Sequence, residues 1–350
     1  MTQNALVLVY EREQDCLARL LAEGIAPARA EEIASYLAQS TDLAAEFSEI
    51  EAECSKVDIR FEPVTLDKFA VDRRRFDPAR SLVWTLTDGI AYFAGSLAPS
   101  LARLEGFKRI GAEDALFALC QDKFRSGAVL HALGIQTPTT VLARDGVLLS
   151  PQRLDAESYF VKPNRLGAKI GIYNTSHCSS FSEALNLSRR VFAEFGDAVV
   201  IQGYVPGVNV RASWLDLDGS EDLDRLGIVR VDSQSDFQTM ADSMALYGDT
   251  GEAAKEAGLY SEPSLVDLSV ENPRAADRIK EVAAVLMRGL GLKDVFSLDF
   301  RVGPDGAVTL LEFEVCPGLP CFDFRTYVRQ QWQRSLPSAM AATAQRHLKN

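Results

Sequence analysis

Two apolar segments near the C-terminus, residues 295–302 and 307–315, lie on either side of the tripeptide Pro304-Asp305-Gly306. Pro, Asp and Gly close together are typical of a tight turn, and the apolar flanks predict two paired strands. This part of the chain is therefore predicted to form a β-hairpin, which excludes an all-helical fold.

Three acidic residues lie within this hairpin: Asp299 on the first strand, and Glu312 and Glu314 on the second. A spacing of two residues places both glutamates on one face of a strand. Converging carboxylates repel each other unless a cation joins them, and an oxygen-only ligand set suits magnesium. A solvated acidic face is the alternative, but the apolar neighbours of every acid favour a cleft. We therefore predict a metal site.

Strands and helices alternate in the first third of the chain. Residues 5–10 form an apolar run, as expected of a buried strand. Alternation of this kind predicts an α/β domain with a largely parallel sheet. The further predicted elements of this region are helices near 15–23, 27–39 and 41–54, and strands at 57–61 and 82–86.

Capping signals define helices in the remainder. Ser180 and Glu183 form a capping box, Gly196 ends the helix that follows, and Asn272-Pro273 opens another. The segment 233–262 is polar and irregular and gives no prediction. The other predicted elements are a helix near 113–133, strands at 159–163 and 199–205, and a last helix at about 323–345.

The overall charge excludes several classes of partner. The 350 residues carry a net charge of −12, which repels a phosphate backbone and excludes nucleic acid as a partner. No apolar run approaches the roughly 18 residues that span a bilayer, so we predict no membrane segment. Six scattered cysteines give no zinc or disulfide pattern, and we expect a cytoplasmic protein.

Two lysines could contact phosphate. Lys162 ends the apolar strand 159–163, and a short basic loop, 164–169, follows it. A lysine there can reach a phosphate at the mouth of a cleft, and the loop can close over it. Lys123 starts a helical segment. Taken singly, each lysine is more often a surface residue.

The order of these motifs carries more information than any one of them. Lys123, VKP with its glycine-containing loop, IQGYVPG, and an Asp followed by Glu-x-Glu-x-x-Pro-Gly occur in one order along the chain. This set resembles the ATP-grasp superfamily, most closely its D-alanine–D-alanine ligase branch, over about residues 82–324. The resemblance implies an α/β fold in which a parallel N-terminal domain precedes two α+β subdomains that sandwich ATP. The implied boundaries are 1–112, 113–206 and 207–350.

The resemblance also implies a role for individual residues, with ATP and two magnesium ions (manganese being an alternative) as cofactors. The implied ATP-binding residues are Lys123, Lys162, Gly167, Ala168, Lys169, Gln202, Gly203, Tyr204, Val205 and Asn209. The implied metal ligands are Asp299, Glu312 and Glu314, and the implied substrate-binding residues are Glu11, Gly318 and Asp323.

The sequence departs from the family pattern at several of these positions. The arginine that the family places two residues before its first metal aspartate is Ser297 here. Another donor must replace it, and Arg230, Arg301 and Lys169 are the candidates, alongside Lys162 as a catalytic group. Asp323 stands where the family has a serine that binds the carboxylate of the second D-alanine. An aspartate repels a carboxylate, which argues against D-alanine as second substrate.

These features predict an ADP-forming ligase that joins an amino acid or other small carboxylate to an amine through an acylphosphate. Specialised-metabolite or dipeptide synthesis is the favoured setting. The alternatives are D-alanine–D-alanine ligase activity itself, another ATP-grasp activity with a different acceptor, or a catalytically degenerate ATP-binding protein. The resemblance further allows a homodimer.

Overall fold

A computed structural model describes residues 3–41, 43–87, 95–167, 169–232, 236–239 and 264–349. Its strands are β1 Asn4–Tyr10, β2 Ile59–Thr65, β3 Ser81–Thr85, β4 Lys108–Ile110, β5 Thr140–Arg144, β6 Val147–Leu148, β7 Tyr159–Pro163, β8 His177–Cys178, β9 Val199–Gly203, β10 Val208–Leu215, β11 Gly227–Asp232, β12 Ser264–Asp267, β13 Val295–Val302 and β14 Val308–Glu314.

Helices cover these strands. The α-helices are α1 Glu13–Ala22, α2 Pro27–Thr41, α3 Phe47–Lys56, α4 Leu66–Asp72, α5 Leu97–Leu104, α6 Asp114–Cys120, α7 Lys123–Ala132, α8 Phe181–Phe195, α9 Leu268–Glu271, α10 Pro273–Leu290, α11 Phe322–Trp332 and α12 Leu336–Lys349. Short 3-10 turns cover Ala44–Glu46, Arg73–Arg75 and Leu223–Arg225.

The first sheet is parallel, as predicted, with the strand order β2-β1-β3-β4. β1 lies in its interior and is almost fully buried, which explains its continuous apolar run. The predicted second strand at 57–61 was placed too early. Asp58 adopts a left-handed φ of 59° at the end of α3, so β2 begins at Ile59.

The second sheet is antiparallel, with the order β6-β5-β9-β7-β8, and α8 packs on it. The capping prediction for α8 is confirmed: the backbone N–H of Glu183 donates to Ser180 Oγ, and Gly196 ends the helix with a φ of 66°. Pro163 and Val199 are paired at one edge of the β7–β9 ladder. Lys162 therefore lies at the end of a buried strand.

Two predicted helices are interrupted. The helix near 113–133 is divided into α6 and α7, because Asp122 adopts an extended conformation and caps α7 by accepting from Arg125 N. The last helix is divided into α11 and α12 at Gln333, whose φ is 52°. The break at Asp122 places Lys123 at the first position of α7.

The third sheet is antiparallel, with the order β12-β11-β10-β13-β14. Its β13–β14 pair is the predicted hairpin, with an irregularity that leaves Leu311 as the extra residue, since Asp299 pairs with Glu312 and Phe300 with Leu310. Helix α10, opened by Asn272 as predicted, buries Ile279, among other residues, against this sheet.

Two terminal segments pack outside their own part of the chain. Helices α1 and α2 share a hydrophobic core with the second sheet. Helix α12 packs with α3 on the first sheet. Each sheet falls within one of the predicted ranges 1–112, 113–206 and 207–350, which remain a prediction. Within the described residues, no helix combines the length and the apolar character needed to cross a bilayer.

Candidate functional site

A cleft with a volume of about 210 Å³ lies between the second and third sheets. Strand β7 and the loop after it form one wall, and β10, β13 and β14 form the other. A smaller cavity of about 70 Å³ adjoins the cleft and shares five of its wall residues. The shared residues are Phe160, Lys162, Asn209, Phe237 and Leu311.

The two predicted phosphate-binding lysines meet in this cleft. Lys162 Nζ donates to Glu312 Oε2 at 3.4 Å, and Lys123 Nζ lies 3.8 Å from the same oxygen. Lys123 also donates to Leu166 O at 2.7 Å. Burial lowers the pKa of Lys162, and the negative charge of Glu312 opposes that shift. Lys162 on β7 and Lys123 on α7 thus place two positive charges next to one carboxylate of the third sheet.

The three predicted metal ligands also converge. Asp299, Glu312 and Glu314 each offer a carboxylate oxygen within 4.8 Å of the others. Burial alone would raise the pKa of Glu312, but the charges of Lys162 and Lys123 outweigh burial and lower it to about 2. Glu314 lacks such lysine neighbours, so burial raises its pKa to about 7. Two carboxylates of one cluster therefore have pKa values shifted in opposite directions.

Arg211 was missed by the sequence analysis. It lies on β10 directly opposite Asp299, and its Nε and Nη2 donate to the two oxygens of that carboxylate at 2.9 and 3.0 Å. Its Nη1 donates to Asp323 at 2.9 Å. The available signal was its position two residues after Asn209, which places both side chains on one face of a strand.

The smaller cavity contains residues 202–205, four of the predicted ATP-binding residues, which we name the hinge segment. Gln202, Gly203, Tyr204 and Val205 all line it, and the ring of Tyr204 stacks on His177 at 3.8 Å. Strand β9 ends here, so the backbone groups beyond it lie at the cavity.

Arg301 and Asn209 also line this smaller cavity. Arg301 donates to Val205 O at 3.0 Å and to Asn209 Oδ1 at 2.9 Å. A cavity lined by the aromatic rings of Phe160, Tyr204 and Phe237 and by strand-end backbone groups is suited to a planar heterocycle.

The predicted closing loop reaches the cleft. Gly167 and Lys169 both line it, and Lys169 Nζ donates to Gln238 Oε1 on the opposite side. Burial lowers the pKa of Lys169, and the nearby charge of Arg211 adds to the shift. Ala168, the remaining predicted residue of this loop, lies outside the described residues.

The predicted substrate residues are separated from one another. Asp323, in the first turn of α11, lines the cleft. Gly318 lies in the turn before α11, where its carbonyl accepts from Cys321 N. Glu11 lies at the end of β1 and accepts from Arg19 and Thr87. The structure does not place Glu11 among the residues that line the cleft.

Arg230, one of the candidate replacements for the missing arginine, points to other partners. It forms ion pairs of 2.8 Å with Asp232 and with Glu271. It lines neither cavity.

The acidic cluster fits magnesium by its donor atoms. All three side chains offer oxygen, the ligand atom that Mg²⁺ prefers. Arg211 bonds to both oxygens of Asp299, but each carboxylate oxygen can accept more than one bond. Asp299, Glu312 and Glu314 are therefore the residues that would hold the metal.

Comparison with known proteins agrees with this geometry. A model of the family described as D-ala D-ala ligase C-terminus matches residues 156–330, or 175 of the 350 residues. A D-alanine–D-alanine ligase of Azobacteroides pseudotrichonymphae is 22% identical over 207 residues, covering 58% of each chain. The vancomycin C-type resistance protein VanC1 of Enterococcus gallinarum is 28% identical, covering 62% of this chain and 59% of that protein. The chain thus spans about three fifths of the length of these relatives.

Solved structures match over nearly the whole chain. The D-alanine–D-alanine ligase of Bacillus anthracis complexed with ATP superposes with a TM-score of 0.64 at 13% identity, covering 99% of this chain and 98% of that one. D-alanyl-alanine synthetase A of Vibrio cholerae gives 0.62 at 16% identity, with both chains fully covered. The chain therefore belongs to the D-alanine–D-alanine ligase family, and its fold is the ATP-grasp fold.

Proposed function

We propose that this protein is an ADP-forming ligase that joins a small carboxylate, in the first instance an amino acid, to an amine. One observation carries the proposal: Lys162 on β7 and Lys123 at the start of α7 both form ion pairs with Glu312, which belongs to one acidic cluster with Asp299 and Glu314. Phosphoryl transfer requires this combination of positive charge and metal-binding oxygens. The family match supports the same reaction class.

In the proposed first step, the substrate carboxylate attacks the γ-phosphorus of ATP. The bond from that phosphorus to the bridging oxygen breaks, ADP leaves, and an acylphosphate forms. Lys123 and Lys162 neutralise charge on the phosphate oxygens, which replace Glu312 as their acceptors. Magnesium, when bound at the acidic cluster, would screen the charge of the triphosphate.

In the proposed second step, the amine attacks the acyl carbon. The bond from carbon to the phosphate oxygen breaks, and inorganic phosphate leaves and takes up the proton that the nitrogen loses. Phe160, Phe237 and Leu311 line the cleft with apolar surface. This surface and the loop that carries Lys169 limit the access of water to the acylphosphate.

The acceptor deserves a separate test, because Asp323 is not an isolated acid. Its carboxylate is 2.9 Å from Arg211 Nη1, so its charge is partly offset by an arginine that it shares with Asp299. The argument against D-alanine from the charge of Asp323 is therefore weakened. Since the relatives are named D-alanine–D-alanine ligase and vancomycin resistance protein, D-alanine belongs in any acceptor panel together with neutral and cationic amines.

The test is a screen of ADP and phosphate release over paired amino acids and amines, followed by mass spectrometry of the product. The informative comparison is between wild type, Lys162→Ala and Lys280→Ala. Lys280 pairs with Asp224 outside the cleft and is the matched control. Turnover in wild type and Lys280→Ala but not in Lys162→Ala supports the proposal. Near-normal turnover in Lys162→Ala, or magnesium-dependent ATP binding without turnover of any pair, contradicts it.

A further inference from the structure

Arg211 lines the cleft next to the acidic cluster. Its side chain is 26% exposed and lies between Asp299 and Asp323, both of which line the same cleft. A guanidinium group stays protonated in proteins. Arg211 is therefore a permanent positive charge next to the metal-binding acids.

The guanidinium of Arg211 keeps bonding capacity. A guanidinium has five N–H groups, and the described contacts of Arg211 use three, two to Asp299 and one to Asp323. One N–H on each terminal nitrogen is left for another acceptor. Because the side chain borders the cleft, that acceptor can be part of a bound molecule.

The other basic groups near the cleft differ from Arg211 in this respect. Arg301 makes five side-chain bonds, to Val205, Asn209, Tyr204 and twice to Asp236, and its side chain is 5% exposed. Its bonding capacity is therefore used at the hinge. Lys123 and Lys162 are positioned for the triphosphate.

Asp323 determines where the guanidinium points. It lies in the first turn of α11, is 8% exposed, and bonds to Arg211 Nη1 from the side opposite Asp299. When a metal ion draws on the oxygens of Asp299, the bond to Asp323 remains. Asp323 can thus hold Arg211 in the cleft both in the metal-free protein and when a metal ion is bound to Asp299.

We propose that Arg211 binds an anion at the end of the cleft where Asp299 and Asp323 lie. Asp323 is its positioning residue. The anion is an oxyanion, supplied by the transferred phosphoryl group or by the substrate carboxylate. This inference rests on the proposed function, because it assumes that a nucleotide occupies the cleft. In this proposal Asp323 does not bind a cationic substrate group. The part of the cleft next to Arg211 instead binds a negatively charged group.

The test uses protein preloaded with ADP and Mg²⁺ and measures the affinity for orthophosphate and for acetate by calorimetry. Arg211→Gln is expected to weaken binding of at least one anion by about tenfold or more, as for loss of a charged hydrogen bond. Affinity for ADP itself should change much less. Arg211→Lys should restore part of the loss, and Arg103→Gln, which alters an exposed arginine paired with Asp114 outside the cleft, should have no effect.

The two anions distinguish the two sources. A loss confined to orthophosphate assigns Arg211 to the phosphoryl group, and a loss confined to acetate assigns it to the substrate carboxylate. Unchanged affinity for both anions in folded Arg211→Gln overturns the proposal. Arg211→Gln could fail to fold because Asp299 and Asp323 repel each other. The double variant Arg211→Gln with Asp323→Asn keeps the net local charge unchanged, and it should show the same loss of anion affinity.

Asp323→Asn tests the positioning role by the sign of its effect. Removing a negative charge should by itself strengthen anion binding, whereas loss of positioning should weaken it. We expect weaker binding in the wild-type background and no further weakening when Arg211 is already Gln. Stronger binding in Asp323→Asn would contradict positioning.

Failure of the two proposals can be told apart. If wild type does not bind ADP and Mg²⁺, the proposed function is wrong, and the role of Arg211 falls with it. If wild type binds the nucleotide but neither anion, the role of Arg211 alone is overturned.

Discussion

Two groups of ion pairs in this protein look alike in composition but differ in surroundings. The cleft cluster consists of Lys123, Lys162, Arg211, Asp299, Glu312, Glu314 and Asp323. The second, which we name the C-terminal cluster, consists of Asp216, Asp294, Arg346 and His347. Both join distant parts of the chain. All members of the first except Glu314 line the cleft, whereas no member of the second lines either of the two cavities described above.

In the C-terminal cluster each aspartate is paired with a cation. Arg346 donates to Asp216 at 2.9 Å and to Asp294 at 2.7 Å, and Asp294 also accepts from the backbone N–H of Gly111 at 3.0 Å. The cluster thereby ties α12 to the third sheet and to the segment before α6. The cleft cluster instead contains Glu314 with a raised pKa and three acids that oppose one another. The difference indicates that one cluster serves stability and the other serves a ligand.

The largest expected effect is on turnover in the cleft cluster. Glu312→Ala removes the carboxylate that faces both lysines and should reduce turnover by about a thousandfold, the upper range for loss of one electrostatic contributor. Part of the stability should also be lost, because the buried ammonium of Lys162 loses its carboxylate partner, so turnover is compared per folded molecule. Steady-state ADP release and thermal melting are the measurements. Retained turnover would remove Glu312 from the site.

The next effect is on stability in the C-terminal cluster. Arg346→Ala leaves two buried aspartates without their cation and should lower the free energy of unfolding by about 3 kcal/mol. Denaturant unfolding measures it, and turnover per folded molecule should be unchanged. An unaltered free energy of unfolding would mean that the cluster is not structural.

The pH dependence of this second effect has a defined sign. Burial would raise the pKa of Asp294, but the bonds and charges from His347, Gly111 and Arg346 lower it below 3.8. Stability from a lowered acid pKa is present above the unfolded value and is lost as the pH falls through the folded one. The destabilisation in Arg346→Ala should therefore be full at neutral pH and shrink below about pH 4. A constant difference across that range would contradict the role of Asp294.

Replacing Glu314 is expected to have a smaller effect, an increase in the free energy of unfolding. Replacing this acid by glutamine relieves repulsion from Asp299 and Glu312 in the metal-free protein and should stabilise it by about 1 kcal/mol. The same variant should lose the stabilisation that Mg²⁺ with ATP gives to wild type. Thermal melting with and without Mg²⁺ and ATP measures both. Destabilisation of the metal-free variant would place Glu314 among structural acids.

Local rules predicted part of the cleft cluster, and the family resemblance supplied Lys123 and Asp323. Glu312 and Glu314 share a face through the two-residue period of a strand, and Lys162 ends an apolar strand. Arg211 was not found, because its partner Asp299 lies 88 positions away and is set by the register of β10 on β13. Register depends on tertiary packing, which a single sequence does not display.

The interrupted helices illustrate the same limit. Asp122 is a capping residue, and its signal before Lys123 was available but was weaker than the apolar pattern across 113–133. Gln333 adopts a left-handed conformation although it is not a glycine. Its residue type therefore does not indicate that the helix ends there. The local signals of the new helix are Ser335, whose Oγ accepts from Ser338 N, and Pro337 near the start of α12.

The smallest expected effect concerns an ion pair outside both clusters. Lys280 Nζ lies 2.7 Å from Asp224, whose side chain is 83% exposed. Water screens such a pair, so Lys280→Ala should change neither turnover nor melting temperature measurably. Because this pair is shorter than the 3.4 Å contact between Lys162 and Glu312, the comparison separates distance from location. A loss of turnover in Lys280→Ala would show that removing any lysine disturbs this protein, and the contrast between the two clusters would no longer identify the site.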